Sequence, residues 1–233
     1  MSETSGTDLP PPGGSPPPSA PIAGGAPYAA RVEVDYTDER DRVTVAFRII
    51  LIIPIAIILN LLAGSTGQWV QTNSGNWVYT SSAGVGVALF AATLLMLLFR
   101  QRYPRWWFDF LLELSRFAFR VGAYLVLLTD KYPSTVDAQD VHLELDYPDA
   151  ERDISRWMPL VKWLFLIPHY IVLLFLTIAG FFVVIFSWFA IVFTGRMSRG
   201  AFDFLVGYGR WALRVHAYGF LLITDEYPPF SLR

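Results

Sequence analysis

The sequence predicts a mainly α membrane protein: four transmembrane helices as two tandem helical hairpins, each followed by an amphipathic interfacial helix, with a small cytoplasmic β element. Three observations carry this expectation. Of 233 residues, 54% are hydrophobic and only 16% charged, against roughly 25% charged in an ordinary soluble domain. That leaves too little polar surface to cover a core of this size. Second, blocks of sequence recur in order along the chain. Third, every Lys, Arg, Asp and Glu lies outside residues 63–99 and 163–195.

The N-terminal segment, 1–27, holds eight of the 16 prolines and has neither a basic start nor an apolar run. It is expected to be a disordered Pro/Gly-rich tail rather than a cleaved signal. Two copies of one unit follow, a first membrane repeat at 28–134 and a second at 135–233. RVEVDY (31–36) answers HLELDY (142–147), and RIILIIP (48–54) answers KWLFLIP (162–168). Further on, RYPRWWFDF (102–110) answers RMSRGAFDF (196–204), RFAFRVGAY (116–124) answers RWALRVHAY (210–218), and each copy ends in TD-x-YP.

The offset between copies falls from 114 to 94 across the apolar region, so Gly64 and Gly84 both answer Ile178. Copy one therefore carries an insertion at about 65–84, and its counterpart in copy two predicts a turn near Ala179-Gly180 inside a run too long for one crossing at about 20 residues. Two spans per copy follow. The insertion has no charge, and the basic residues flank the other ends. By the positive-inside bias, the insertion is expected to be extracytoplasmic, with both termini cytoplasmic in a cell membrane.

Within each copy Pro54 and Pro168 predict a kink in the first helix. Arg48 and Lys162, six residues earlier, are expected to snorkel to the headgroups. RVEVDY and HLELDY alternate apolar and polar as half-exposed strands do, with the TD-x-YP endings as candidate partner strands.

The third segment of each copy carries a narrow polar stripe at 100° per residue. In copy one it holds Arg102, Arg105, Asp109, Glu113, Arg116, Arg120 and Tyr124; in copy two, Arg196, Arg199, Asp203, Gly207, Arg210, Arg214 and Tyr218. A helix sunk in the interface with only this stripe reaching water fits the pattern. Two readings stay open: the solvated edge of an anchor, or a site for an anionic lipid headgroup or acidic partner. Arginine suits bidentate phosphate recognition. In the second reading Asp109 and Asp203 orient the guanidinium groups of Arg116 and Arg210.

No phosphate-binding loop, HExxH or GxSxG motif is present, and the chain has no cysteine. His142, His169 and His216 lack a metal-ligand spacing, and His169 answers Ile55, which favours a packing role for it. No enzyme, metal or cofactor is expected. Membrane lipids, anionic ones among them, and a membrane protein are the expected partners; a net charge of −2 argues against nucleic acid.

The residues DYP at 146–148, FTGR-x-x-RG-x-FDF at 193–204, RV-x-AY at 214–218 and TD-x-YPP at 224–229 resemble the bacterial membrane proteins grouped as domain of unknown function 4389. The first copy departs from that pattern at Thr37, Arg100-Gln101, Trp106 and Ser134. The resemblance, over about 29–233, implies a multi-pass membrane protein and brings no activity with it. The expected role is a non-enzymatic accessory or scaffold subunit. The alternative is a lipid- or small-solute-handling transporter component with Arg-lined headgroup sites.

Overall fold

In the computed structural model, residues 28–63, 67–71, 74–81, 85–134 and 139–233 are described; the tail expected at 1–27 lies outside them. Strand β1 (Ala30–Val34) leads to α1 (Arg42–Leu51) and α2 (Ile53–Ala63). A hairpin of β2 (Gly67–Gln71) and β3 (Trp77–Ser81) follows, within the expected insertion, then α3 (Val85–Leu95) with a π-helical turn at Met96–Arg100, and α4 (Arg105–Leu125). The second half runs β4 (Val141–Leu145), α5 (Met158–Phe165), α6 (Ile167–Thr194) and α7 (Arg199–His216), ending in a π-helical turn at Ala217–Leu221.

The two alternating segments pair with each other. β1 and β4 form an antiparallel ladder in which Val32 lies opposite Leu143, and these two residues also answer one another in sequence. Ala30, Val32, Val141, Leu143 and Leu145 are buried on the inner face. The outer face carries Arg31, Glu33, Asp35, His142, Glu144 and Asp146, where Arg31 pairs with Asp146 at 2.7 Å and His142 meets Asp35 at 3.2 Å. The TD-x-YP endings are not strands, a correction to the sequence reading; the ladder is complete without them.

Beneath this ladder lie α4 and α7. Arg116 Nε donates to the Leu143 carbonyl at 3.0 Å and Arg210 Nε to the Val32 carbonyl at 3.1 Å, so each helix is fastened to the strand of the other half. On its far side α7 packs on α6: Tyr208 and Thr177 share a hydrogen bond at 2.9 Å, and Leu205 and Phe204 lie against Gly180. At 100° per residue, strand-facing Arg210 and the α6-facing set Phe204, Leu205 and Tyr208 lie about 165° apart on α7. The helix is therefore a middle layer, and its stripe is covered along most of its length. The interfacial helix with a free stripe is thus corrected: only Arg102, Arg105, Asp109 and Glu113, with Arg196, Arg199 and Asp203, are exposed.

The prolines act as the sequence predicts. α1 stops at Ile52 and α5 at Leu166, each two residues before Pro54 or Pro168, because a proline ring removes an amide donor and clashes with the carbonyl four residues back. The axis turns by 48° between residues 42–48 and 53–60. The expected turn at Ala179-Gly180 is absent. α6 runs unbroken for 28 residues, about 42 Å at 1.5 Å per residue, and Gly180 serves as a close-packing point against α7 instead. The four spans expected from the sequence are not supported: among the described residues one helix is long and apolar enough to cross a membrane, or two if bent α1–α2 is a single span.

α6 ends at Gly195 in the left-handed region, φ 77°; its sequence counterpart Gln101 takes the same conformation at φ 45°. Leu127 and Leu222 form a second such pair, at φ 69° and 57°. A non-glycine residue carries about 1–2 kcal/mol of strain there. A Cβ on Gly195 would also come within 3.0 Å of Arg42 Nε. Gly195→Ala is expected to destabilise the fold by about 1–2 kcal/mol, seen as a lower thermal midpoint in detergent; an unchanged midpoint would show that the turn tolerates a side chain.

Candidate functional site

Two clusters of buried charge stand out, one per half, built from residues that answer one another in sequence. On the last turn of α1, Arg48 is 2% exposed; on α5, Lys162 is fully buried. Neither snorkels. The break before each proline turns these side chains inward, so the headgroup reading is corrected. Arg48 meets Asp130 at 2.5 Å and donates to the Tyr124 carbonyl at 2.8 Å. Lys162 meets Asp225 at 2.8 Å and donates to the Thr224 carbonyl at 2.6 Å. Each cation also lies over a buried tyrosine ring, Arg48 at 4.3 Å from the Tyr124 centroid and Lys162 at 4.7 Å from Tyr218.

The TD-x-YP endings owe their recurrence to these clusters. Asp130 accepts the Asp41 amide at 3.0 Å and Asp225 the Ser155 amide at 2.7 Å, so each carboxylate also ties down the chain entering α1 or α5. Thr129 and Thr224 hold the amides two residues on, at 3.2 and 3.1 Å. Tyr132 and Tyr227 set ring edges against Tyr124 and Tyr218. Burial pushes the Lys162 ammonium below the usual lysine range, and Asp225 opposes that push. Sequence reasoning noted Asp130 and Asp225 in the repeated TD pairs, as polar residues a membrane enzyme could use, but did not pair them with Arg48 and Lys162; the signal was that both the TD and the basic residue recur in each half.

The sequence-predicted site residues divide into two sets. Arg116 and Arg210 are spent on strand carbonyls, as described. Arg120 donates to the Ser134 carbonyl at 2.8 Å, and Arg214 to the carbonyls of Ser231 and Arg233 at 2.9 and 2.7 Å. These four hold the fold together. Arg102, Arg105, Arg196 and Arg199 remain outside. Asp109 and Asp203 pair with Arg105 and Arg199, at 3.4 and 3.1 Å, and not with the arginines seven residues on. Arg105 also covers the Tyr147 ring at 4.8 Å and Arg199 the Tyr36 ring at 4.3 Å, each tyrosine coming from the other half. Arg100 and Arg102 line an open cleft of about 710 Å³ with Tyr147, but Asp149 and Glu151 share it and oppose an anion there.

His169 is packed as the sequence reading favours: Trp211 Nε1 donates to its Nδ1 at 3.0 Å, and Phe230 stacks on it at 3.9 Å. Among the described residues no group of three or more His, Asp or Glu side chains could hold a metal ion.

The largest uncovered feature is apolar. On α6, Phe175, Phe182, Phe186 and Phe193 are each more than half exposed, and α1 and α5 add Phe47, Ile50, Trp163 and Leu164. Apolar exposure on this scale marks a membrane or partner surface.

Residues 156–231 match the family model described as Domain of unknown function (DUF4389). The match covers the C-terminal third of the chain, including α6, α7 and the Lys162–Asp225 cluster. No curated protein and no solved structure matches the chain.

Removing one partner of a buried pair strands the other charge and costs about 3–5 kcal/mol, whereas an exposed pair is worth about 0–1 kcal/mol. Asp225→Ala is expected to lower the unfolding midpoint in detergent sharply, and Asp203→Ala hardly at all. Equal effects would remove the cluster's structural role.

Proposed function

We propose that this chain is a non-enzymatic bacterial membrane protein, a scaffold or accessory subunit built from two tandem copies of one unit. The observation that carries the reading is the opposition of two faces: an uncovered aromatic face on α6 and, across the α7 layer, a ladder whose outer face is charged. A protein with those two faces has one side suited to lipid and one to water or a polar partner. The tandem-copy part rests on the matched contacts of the two halves. In this reading the basic residues lie on the cytoplasmic side, with both termini.

A second reading, handling of anionic lipid headgroups, has one observation in its favour: Arg105 and Arg199 keep 69% and 63% of their side chains exposed, each beside a tyrosine ring. Capture of the full chain in lipid nanodiscs, with mass spectrometry of co-purifying proteins and lipids, separates the two. A stoichiometric protein favours the scaffold. Enriched anionic lipid, lost in Arg105→Ala with Arg199→Ala, favours headgroup binding.

The membrane assignment has its own test. Phe175→Glu with Phe182→Glu removes about 2 kcal/mol of burial per residue, a drop in partition of about a thousandfold. The doubly substituted chain is expected to leave the membrane pellet on alkaline washing while keeping its helical circular dichroism. Retention equal to the parent would refute the assignment of this face to lipid.

A further inference from the structure

We infer that α6 lies in the plane of the membrane, sunk into one leaflet along its whole length, and does not cross the bilayer although it is long enough to do so. The inference rests on the membrane reading above and specifies how that membrane is met.

The first argument is the position of the helix ends. Tyr28, just before β1, donates its hydroxyl to the Glu226 carbonyl at 3.1 Å, and the next residue, Tyr227, donates to the carbonyl of Phe165, two residues before α6 begins, at 3.1 Å. Tyr36, just after β1, donates to the Met197 carbonyl at 3.0 Å, and the Arg40 amide to the Gly195 carbonyl at 2.9 Å, both at the end of α6. One strand thus reaches both ends of the helix. β1 carries Glu33 and pairs with a strand bearing His142 and Glu144 on the same outer face, so it belongs in water. Both ends of α6 are then held at the level of a water-facing strand.

The second argument is symmetry. Val32 opposite Leu143 pairs a residue with its own sequence counterpart, which is the signature of a local two-fold axis. For an antiparallel pair that axis stands perpendicular to the ladder, and it therefore runs from the charged face towards the apolar one. Were α6 to cross the bilayer, the ladder, whose flanking residues reach towards both ends of α6, would stand at membrane depth with its charged face in lipid, which hydrocarbon does not tolerate. With the axis along the membrane normal, that conflict disappears.

The third argument is the face itself. Ile171, Phe175, Ile178, Phe182, Phe186 and Phe189 are each about half exposed or more. At 100° per residue they fall in an arc of about 80°, and Tyr170, Leu174 and Phe181, also more than half exposed, widen the exposed apolar face to about 160°. The buried positions His169, Gly180, Ser187 and Ile191 centre about 160° away. The apolar face keeps one direction from end to end, as an in-plane helix requires, and no charged residue interrupts it.

The chain lacks cysteine, so single-cysteine nitroxide scanning reads this directly. Each of those six positions would be replaced by Cys in the full chain, spin-labelled and reconstituted in liposomes of phosphatidylethanolamine and phosphatidylglycerol. Depth is measured by power saturation with oxygen and a water-soluble nickel chelate. The expected result is one common depth, within about 5 Å, at all six sites, since such faces sink about 5–10 Å. A profile deepest at Ile178 and Phe182 and shallow at both ends overturns the inference, because positions 171 and 189 of a crossing helix differ by about 27 Å along the normal; the membrane reading would survive. Loss of oxygen access together with spin–spin broadening would mean that a second copy covers the face, which overturns it too. Water exposure at all six sites overturns both the inference and the membrane reading.

Discussion

The pairing of β1 with β4 is the constraint on which the rest of the structure depends. Two five-residue strands, 111 residues apart, meet so that Val32 faces Leu143, and among the described residues neither pairs with another strand. A two-stranded ladder is marginal in water on its own and needs packing against helices. Here the helices bond to it directly. Arg116 and Arg210 reach past apolar neighbours to the Leu143 and Val32 carbonyls at the centre of the ladder. A slip of one residue would turn Val32 and Leu143 to water and bring Arg31 or Glu144 into the core. It would also move both carbonyls away from their guanidinium groups. Register, helix placement and the direction of the apolar face are therefore one choice.

The buried cations do a different job. Taking Arg48 or Lys162 out of water costs several kcal/mol, and attraction to Asp130 or Asp225 offsets this only with good geometry and further hydrogen bonds. Both clusters supply them: a carbonyl, a carboxylate and an aromatic face for each cation. An apolar pair of similar size would pack at least as favourably. What the ion pairs add is direction, since a cation placed about one turn before the proline break can be satisfied in only one docking of α1 or α5. The same carboxylates cap the incoming chain at Asp41 and Ser155, so entry, break and exit of each unit are fixed at one point.

Much of this was legible in the sequence, and the failures have physical causes. The strands were visible because their alternation is strict, and the helix breaks because proline leaves little choice. The turn at Ala179-Gly180 was inferred from an insertion in the other copy and from a length limit that holds for a helix crossing a bilayer. A glycine in an apolar helix can equally mark a close approach, and at Gly180 the neighbours are Leu205 and Phe204. The polar stripe was a real periodicity with the wrong partner: a guanidinium group bonds a strand carbonyl as readily as water or phosphate, and sequence spacing does not distinguish them. The pairing of Asp130 and Asp225 with the buried cations was missed because a lone carboxylate in a loop has no periodicity, and its partner lies 82 or 63 residues away in the chain.

The contacts fall into two sets with different reach. The cation clusters close each half on itself, joining its first helix to its own ending. The strand ladder, Arg116 to Leu143, Arg210 to Val32, Tyr36 to Met197 and Tyr147 to Tyr103 all cross from one half to the other, each matched by its counterpart in the reverse direction. That is the pattern of an isologous dimer interface, written within one chain. It follows that a chain carrying one such unit alone would satisfy its buried cation but leave its strand without a partner and its strand-seeking arginine unpaired. Pairing with a second copy would meet all of those needs at once. Within one chain that pairing is intramolecular, and the halves differ away from the shared axis. The β2–β3 hairpin between α2 and α3, where the second half has one unbroken helix, is such a difference.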